Sequence, residues 1–213
     1  MIAGLATPIE ASRDTFMENL TGFVLASFAL VGSPGPATLS LAALGASFGV
    51  RRGLAYLLGI SSGLVVIMAI TATGVMGIVF AFPGAAPVIT GLGAAYILYL
   101  AYRIATVPIS VEGQEPDHHP SYFGGVFLSM VNPKAYASMA ALFSGFVLIA
   151  DRPVEDALVK GLIILTIILG IDIAWLLLGS TLVRRIKNLR TRRIINLVFA
   201  VLLVVAVAFA VLL

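Results

Sequence analysis

Charge-free stretches constrain this chain more than any other feature. Residues 19–50 contain no Lys, Arg, Asp or Glu, and neither do residues 53–102. Such lengths match a hydrocarbon solvent, which takes ~20 apolar residues per helical crossing. Composition agrees: of 213 residues, 60% are hydrophobic and 11% charged, against roughly 25% charged in a soluble domain. A soluble enzyme and a disordered chain are both excluded. The absence of cysteine removes disulfide, thiolate and iron–sulfur chemistry. The net charge of +3 reads as basic membrane loops, with no nucleic-acid partner expected.

The remaining spans follow from the same pattern. Residues 122–150 are apolar except for Lys134, residues 157–183 except for Lys160 and Asp172, and residues 194–213 form a clean apolar run. The long run 53–102 must hold two helices, divided by the turn-forming Phe82-Pro83-Gly84-Ala85-Ala86-Pro87. The pattern predicts an all-α membrane protein of six transmembrane helices. A mobile N-terminus covers 1–15, a first three-helix repeat 16–105, a cytoplasmic linker 106–121 and a second three-helix repeat 122–213. The first residues lack the basic and apolar regions of a signal peptide. Loops one, three and five carry nine basic residues (Arg51, Arg52, Arg103, Arg184, Arg185, Lys187, Arg190, Arg192 and Arg193), while the opposite side carries Arg13, Arg152 and Lys160. Basic residues mark the cytoplasmic side, so both termini are expected outside. The Arg-rich 184–193 stretch reads as an anchor to anionic lipid.

Two spans are too long. As a straight helix 19–50 would run ~48 Å and 122–150 ~44 Å, against a hydrocarbon core of ~30 Å. The first contains Gly32-Ser33-Pro34-Gly35-Pro36, where a helix is expected to stop near Gly32 and restart after Ser33. The second contains Asn132-Pro133-Lys134, a capping residue followed by a pre-organised proline. Each span therefore reads as two half-helices meeting inside the bilayer, with a simple proline kink as the alternative. Interruptions at corresponding places in two halves point to a transporter's binding site. With three spans per half, the second repeat must be inverted relative to the first. Arg52-Gly53-Leu54 is echoed by Lys160-Gly161-Leu162, 108 residues later, while Pro36 and Lys134 lie 98 apart.

Lys134 and Asp172 are the ionisable residues well inside apolar spans. Each costs at least ~2.5 kcal/mol at a helix centre, which makes each a functional candidate. The expected substrate site comprises Ser33, Pro34, Gly35, Pro36, Thr38, Asn132, Pro133 and Lys134. There, amides near Gly35, Ala37 and Thr38 and the Lys134 ammonium suit a carboxylate. Asp172 is the candidate for holding an ammonium or carrying a coupling proton. Two readings stand: a buried structural ion pair, or a zwitterion site. His118 and His119, with three acids nearby, fit no defined metal motif and read as a solvated linker. Trp175 and the Tyr96/Tyr99/Tyr102 stripe read as packing and interface anchors. No catalytic constellation forms at membrane depth, and no cofactor or metal site is expected.

Several blocks together carry a resemblance. Ser33-Pro34-Gly35-Pro36, the Gly45 to Gly53 stretch with its Arg pair, Gly91-Leu92-Gly93-Ala94-Ala95-Tyr96-Ile97-Leu98-Tyr99-Leu100 and Asn132-Pro133-Lys134-Ala135 resemble the LysE/RhtB family of amino-acid exporters over nearly the whole chain. The resemblance implies a multi-pass protein of the bacterial inner (plasma) membrane that exports an amino acid or close analogue by proton antiport. One departure stands out. The family often has an aspartate just after a Gly-x-x-x-Gly in span two, whereas here Gly59-Ile60-Ser61-Ser62-Gly63 is followed by Leu64, which the 108-residue offset matches to Asp172. With one acid opposite one lysine, a dibasic substrate would bring an unpartnered charge, so a neutral amino acid is expected. The alternatives are a divalent metal-ion exporter, which would need more oxygen ligands, and a non-transporting membrane scaffold or sensor. Gly59 and Gly63 permit close helix packing, within the chain or in a homo-oligomer.

Overall fold

The structure is a computed structural model describing residues 8–74, 84–107, 121–184, 186 and 188–212. Among these it holds eight helices and no strand: α1 (Pro8–Gly32), α2 (Pro36–Phe48), α3 (Val50–Ala72), α4 (Ala85–Thr106), α5 (Tyr122–Met130), α6 (Pro133–Gly145), α7 (Pro153–Arg184) and α8 (Leu189–Leu212). The His118–His119 segment, Phe82 and Pro83 of the 82–87 turn, and Arg185 and Lys187 lie outside the described residues.

Proline sets the helix starts. α1, α2, α6 and α7 each begin on one, at the position whose amide would have no intrahelical partner anyway. This moves several boundaries from the sequence expectation. α1 begins at Pro8, inside the stretch read as a terminus, and α7 at Pro153, ahead of residue 157. α2 starts at Pro36 with an extended Gly35 (φ −167°) as its cap, and not directly after Ser33. The reason is that a residue preceding proline is pushed out of the α region, and both Ser33 and Gly35 precede one. Pro87 sits within the first turn of α4, where its missing donor costs nothing.

Four helical stretches are long and apolar enough to cross a membrane: Val50–Ala72, Pro87–Thr106, Pro153–Val183 and Leu189–Phe209. Phe16–Gly32 with Pro36–Phe48, bent by 57°, makes a fifth when the pair is taken as one span. The nine residues of α5 and thirteen of α6 are individually too short.

Close packing is made by glycine. Gly45 of α2 lies on the Leu176 carbonyl and Gly179 of α7 on that of Ala42, so a Cβ at either position would overlap backbone. Gly59 of α3 and Gly125 of α5 do the same on the carbonyls of Tyr122 and Tyr56, and Gly63 faces Ser129. The Gly59/Gly63 pair thus serves the α3–α5 contact inside the chain. Lipid is as apolar as a leucine, so close backbone approach is what holds such helices together. Two apolar clusters result. One gathers Leu41, Tyr56, Leu128 and Leu176 from α2, α3, α5 and α7. The other gathers Phe23, Ile67, Met139 and Ile164 from α1, α3, α6 and α7. The chain passes from one cluster to the other at each interruption, between α1 and α2 and between α5 and α6. Outward faces carry exposed apolar side chains such as Tyr102, Leu158, Leu162 and Phe209.

Candidate functional site

An interrupted helix frees carbonyls that must find donors at membrane depth. Here side chains take them. Ser33 Oγ donates to the Leu30 carbonyl at 3.0 Å, and Lys134 Nζ reaches across from the other interruption to the Ser33 carbonyl at 2.5 Å. Tyr136 donates its hydroxyl to the Met130 carbonyl at 2.7 Å, closing the end of α5. On the donor side, Asn132 caps α6 by accepting from the Lys134 amide at 3.1 Å. The Gly35 amide donates to Thr38 Oγ1 at 3.0 Å.

These contacts surround a cavity of about 60 Å³, room for a few waters at roughly 10–15 Å³ each. Gly35 and Thr38 line it from the α2 start, Asn132 and Lys134 from the α6 start, and Asp172 from α7. Ser129 and Ser138 add hydroxyls, while Leu30, Ile60, Leu64 and Met139 make it apolar on other sides. Asp172 is 2% exposed, and its Oδ2 has no hydrogen-bond partner. Lys134 and Asp172 line one cavity without forming an ion pair; the ammonium bonds the Ser33 carbonyl instead. An ammonium has three donors, so that bond leaves capacity for an anion. Gly35 is needed beside it, because a Cβ there would sit 2.9 Å from Lys134 Cδ and 3.0 Å from its Nζ.

Of the residues expected from sequence, Gly35, Thr38, Asn132, Lys134 and Asp172 meet at the cavity. Ser33, Pro34, Pro36 and Pro133 shape the interruptions around it. The amide expected to be open at Gly35 is taken by Thr38. Leu64 and Asp172, matched by the 108-residue offset, face the same space. Ser129 and Ser138 were not singled out by the sequence. The signal for Ser138 was its place one helical turn after Lys134, hence on the same face.

A second polar cluster was also missed. Lys160 Nζ pairs with Asp156 Oδ2 at 2.6 Å and donates to the carbonyls of Phe143 and Phe146 at 3.0 and 2.9 Å. Asp156 Oδ1 accepts from the amides of Leu148 and Ile149 at 2.7 and 3.0 Å. The pair, 3% and 7% exposed, ties the end of α6 and the following loop to α7. Its sequence signal is an acid and a base four apart on one helix, which composition alone assigns to a loop.

Comparison with known proteins gives a consistent result. Residues 11–213 match the family model described as LysE type translocator. The chain is 32% identical over 177 residues to the cysteine/O-acetylserine efflux protein of Salmonella typhimurium (strain LT2), covering 81% of this chain and 87% of the relative. It is 30% identical over 176 residues to the protein of that name in Escherichia coli (strain K12), with the same coverage. No solved structure matches the chain.

Proposed function

Because the chain belongs to the LysE type translocator family, we propose that it exports a small neutral amino acid or close analogue across the bacterial inner membrane, in exchange for protons. The protein is a transporter and not an enzyme. The observation that carries the reading is Asp172: a buried carboxylate with an unpartnered oxygen, facing the same cavity as an ammonium. Leaving a charge in that position is costly unless a ligand completes it. A zwitterion does so at both ends. Its ammonium meets Asp172, and its carboxylate meets Lys134 and the starts of α2 and α6, where the helix dipoles favour an anion. Leu30, Ile60, Leu64 and Met139 receive an uncharged side chain. The substrates named for the relatives, cysteine and O-acetylserine, are of this kind.

Proton exchange follows from single occupancy. Asp172 accepts either a proton or the substrate ammonium, so each displaces the other, and the two are coupled through one carboxylate. A divalent cation would find one carboxylate opposed by an ammonium, where hard cations take six to eight oxygens. In this reading α1 with α2, and α5 with α6, each make one crossing, giving six spans in two inverted three-helix repeats. The Arg51, Arg52 and Arg103 end is cytoplasmic, and both termini are outside. Counterflow in proteoliposomes tests the substrate class. Preloaded serine or O-acetylserine is expected to drive entry of its labelled counterpart, with lysine ineffective; exchange of lysine in preference to both overturns the reading.

A further inference from the structure

A serine or threonine inside a membrane helix ordinarily satisfies itself on a carbonyl one turn back. This chain follows the habit at many positions. Ser27 donates to the Phe23 carbonyl, Ser61 to Leu57, Thr71 to Ile67 and Ser144 to Ala140, at 2.7–3.1 Å. Ser129 of α5 and Ser138 of α6 depart from it. Among the described residues neither hydroxyl has a hydrogen-bond partner, although both residues are buried (2% and 6% exposed) and both line the central cavity. Asn132, 4% exposed, joins them there. Its Oδ1 accepts from the Lys134 amide, which leaves the side-chain nitrogen, a donor, with no partner among the described residues.

The facing wall differs. Thr38 Oγ1 accepts from the Gly35 amide and donates to the Gly35 carbonyl, so its hydroxyl is occupied within the chain. Unused hydrogen-bonding groups thus gather at the α5–α6 interruption and the turn that follows it. A buried polar group left without a partner is costly. Three of them around one small cavity, beside the unpartnered Asp172 oxygen, call for a ligand that is polar along its side chain as well as at its two charged ends.

We propose that Ser129, Ser138 and Asn132 form the subsite for the side chain of the transported amino acid, and that the substrate class is a short amino acid bearing a hydroxyl or ester oxygen. The proposal deepens the export reading given above and rests on it. Asp172 and Lys134 take the groups common to all amino acids, and these three residues tell one amino acid from another. A serine hydroxyl both donates and accepts, and an amide nitrogen donates, so together they can satisfy a hydroxyl, or an ester through its oxygens. Volume sets the length: about 60 Å³ admits a short side chain in place of waters, and a leucine-sized one only by pushing the walls apart. Alanine fits but leaves the three groups unmet, which is how a polar site rejects an analogue lacking the hydrogen bond.

Ser129 also has a packing role, because α3 passes close. A Cβ on Gly63 would lie 2.7 Å from Ser129 Cβ and 3.2 Å from its Oγ. Replacement by alanine keeps the Ser129 Cβ and removes the hydroxyl alone, so it separates recognition from packing. Initial rates of counterflow are measured in proteoliposomes with labelled serine, alanine and leucine, for the parent chain, Ser129→Ala and Ser138→Ala. The parent is expected to show a KM for serine about tenfold below that for alanine, with leucine poorer still. Each variant is expected to raise the serine KM roughly threefold or more and to leave the alanine KM unchanged. Equal handling of serine and alanine by the parent overturns the subsite, and that comparison requires no variant to fold. So do variants that shift both substrates equally, which assigns the serines to packing, or that shift neither, which assigns their hydroxyls to cavity water. In each of these cases transport persists and the export reading stands. Exchange of none of the three amino acids overturns the export reading itself, and the subsite with it.

Discussion

At the scale of single residues the proposed exchange depends on one carboxylate and one glycine. Asp172→Asn keeps shape and removes the charge that the proposed exchange of substrate for proton requires. Uphill export driven by a pH gradient is expected to fall at least tenfold in that variant, with protein yield unchanged; parental export would remove Asp172 from the mechanism. Gly35→Ala places a methyl group about where the Lys134 stem lies. Displacing the ammonium from the cavity is expected to raise KM several-fold, read in the same transport assay, with little loss of stability. Both ionisable residues were legible in the sequence because a charge in an apolar run is conspicuous. The cavity hydroxyls Ser129 and Ser138 were not, since a serine in a membrane helix can satisfy itself on its own backbone. Only the register of α5 and α6 against α3 and α7 brings them inward. The hold of Lys134 on the Ser33 carbonyl was not legible either, because it depends on the opposing interruption.

At the scale of elements, interruptions and close contacts carry the structure. Prolines made the interruptions readable, and the detail that Gly35 rather than Ser33 precedes α2 follows from the second proline. The Asp156–Lys160 pair was hidden, because its value depends on burial. Removing one partner leaves the other charge buried, so Asp156→Ala or Lys160→Ala is expected to cost about 3 kcal/mol. The double change to Asp156→Leu with Lys160→Met is expected to restore most of that. Thermal unfolding of the purified chain in detergent checks it, and equal loss in the single and double variants would contradict it. Gly59→Leu sets a side chain against the Tyr122 carbonyl. Overpacking of this kind costs about 1–3 kcal/mol, so a lower melting temperature is expected, whereas Gly161→Ala, which meets open space, is expected to be neutral.

At the scale of the whole molecule, membrane residence and an all-helical fold were legible from composition alone, since no other solvent accepts such long uncharged runs. Less legible was the pairing of α2 with α7 and α3 with α5, because glycine contacts have a partner only once the helices are placed. The orientation proposed from the basic residues is checked by single cysteines in a chain that has none. Arg152→Cys is expected to label from outside and Arg190→Cys from the cytoplasm, and the reverse would invert the reading of Arg103 as an inner residue. The central claim is proton-coupled export of a neutral amino acid. It is tested most directly by uptake of labelled serine, O-acetylserine, leucine, lysine and arginine into inverted membrane vesicles, with and without an acidic interior. The acidic interior is expected to drive accumulation of small neutral amino acids over lysine and arginine; no accumulation of any of them, or a preference for the dibasic pair, would contradict proton-coupled export of a neutral amino acid.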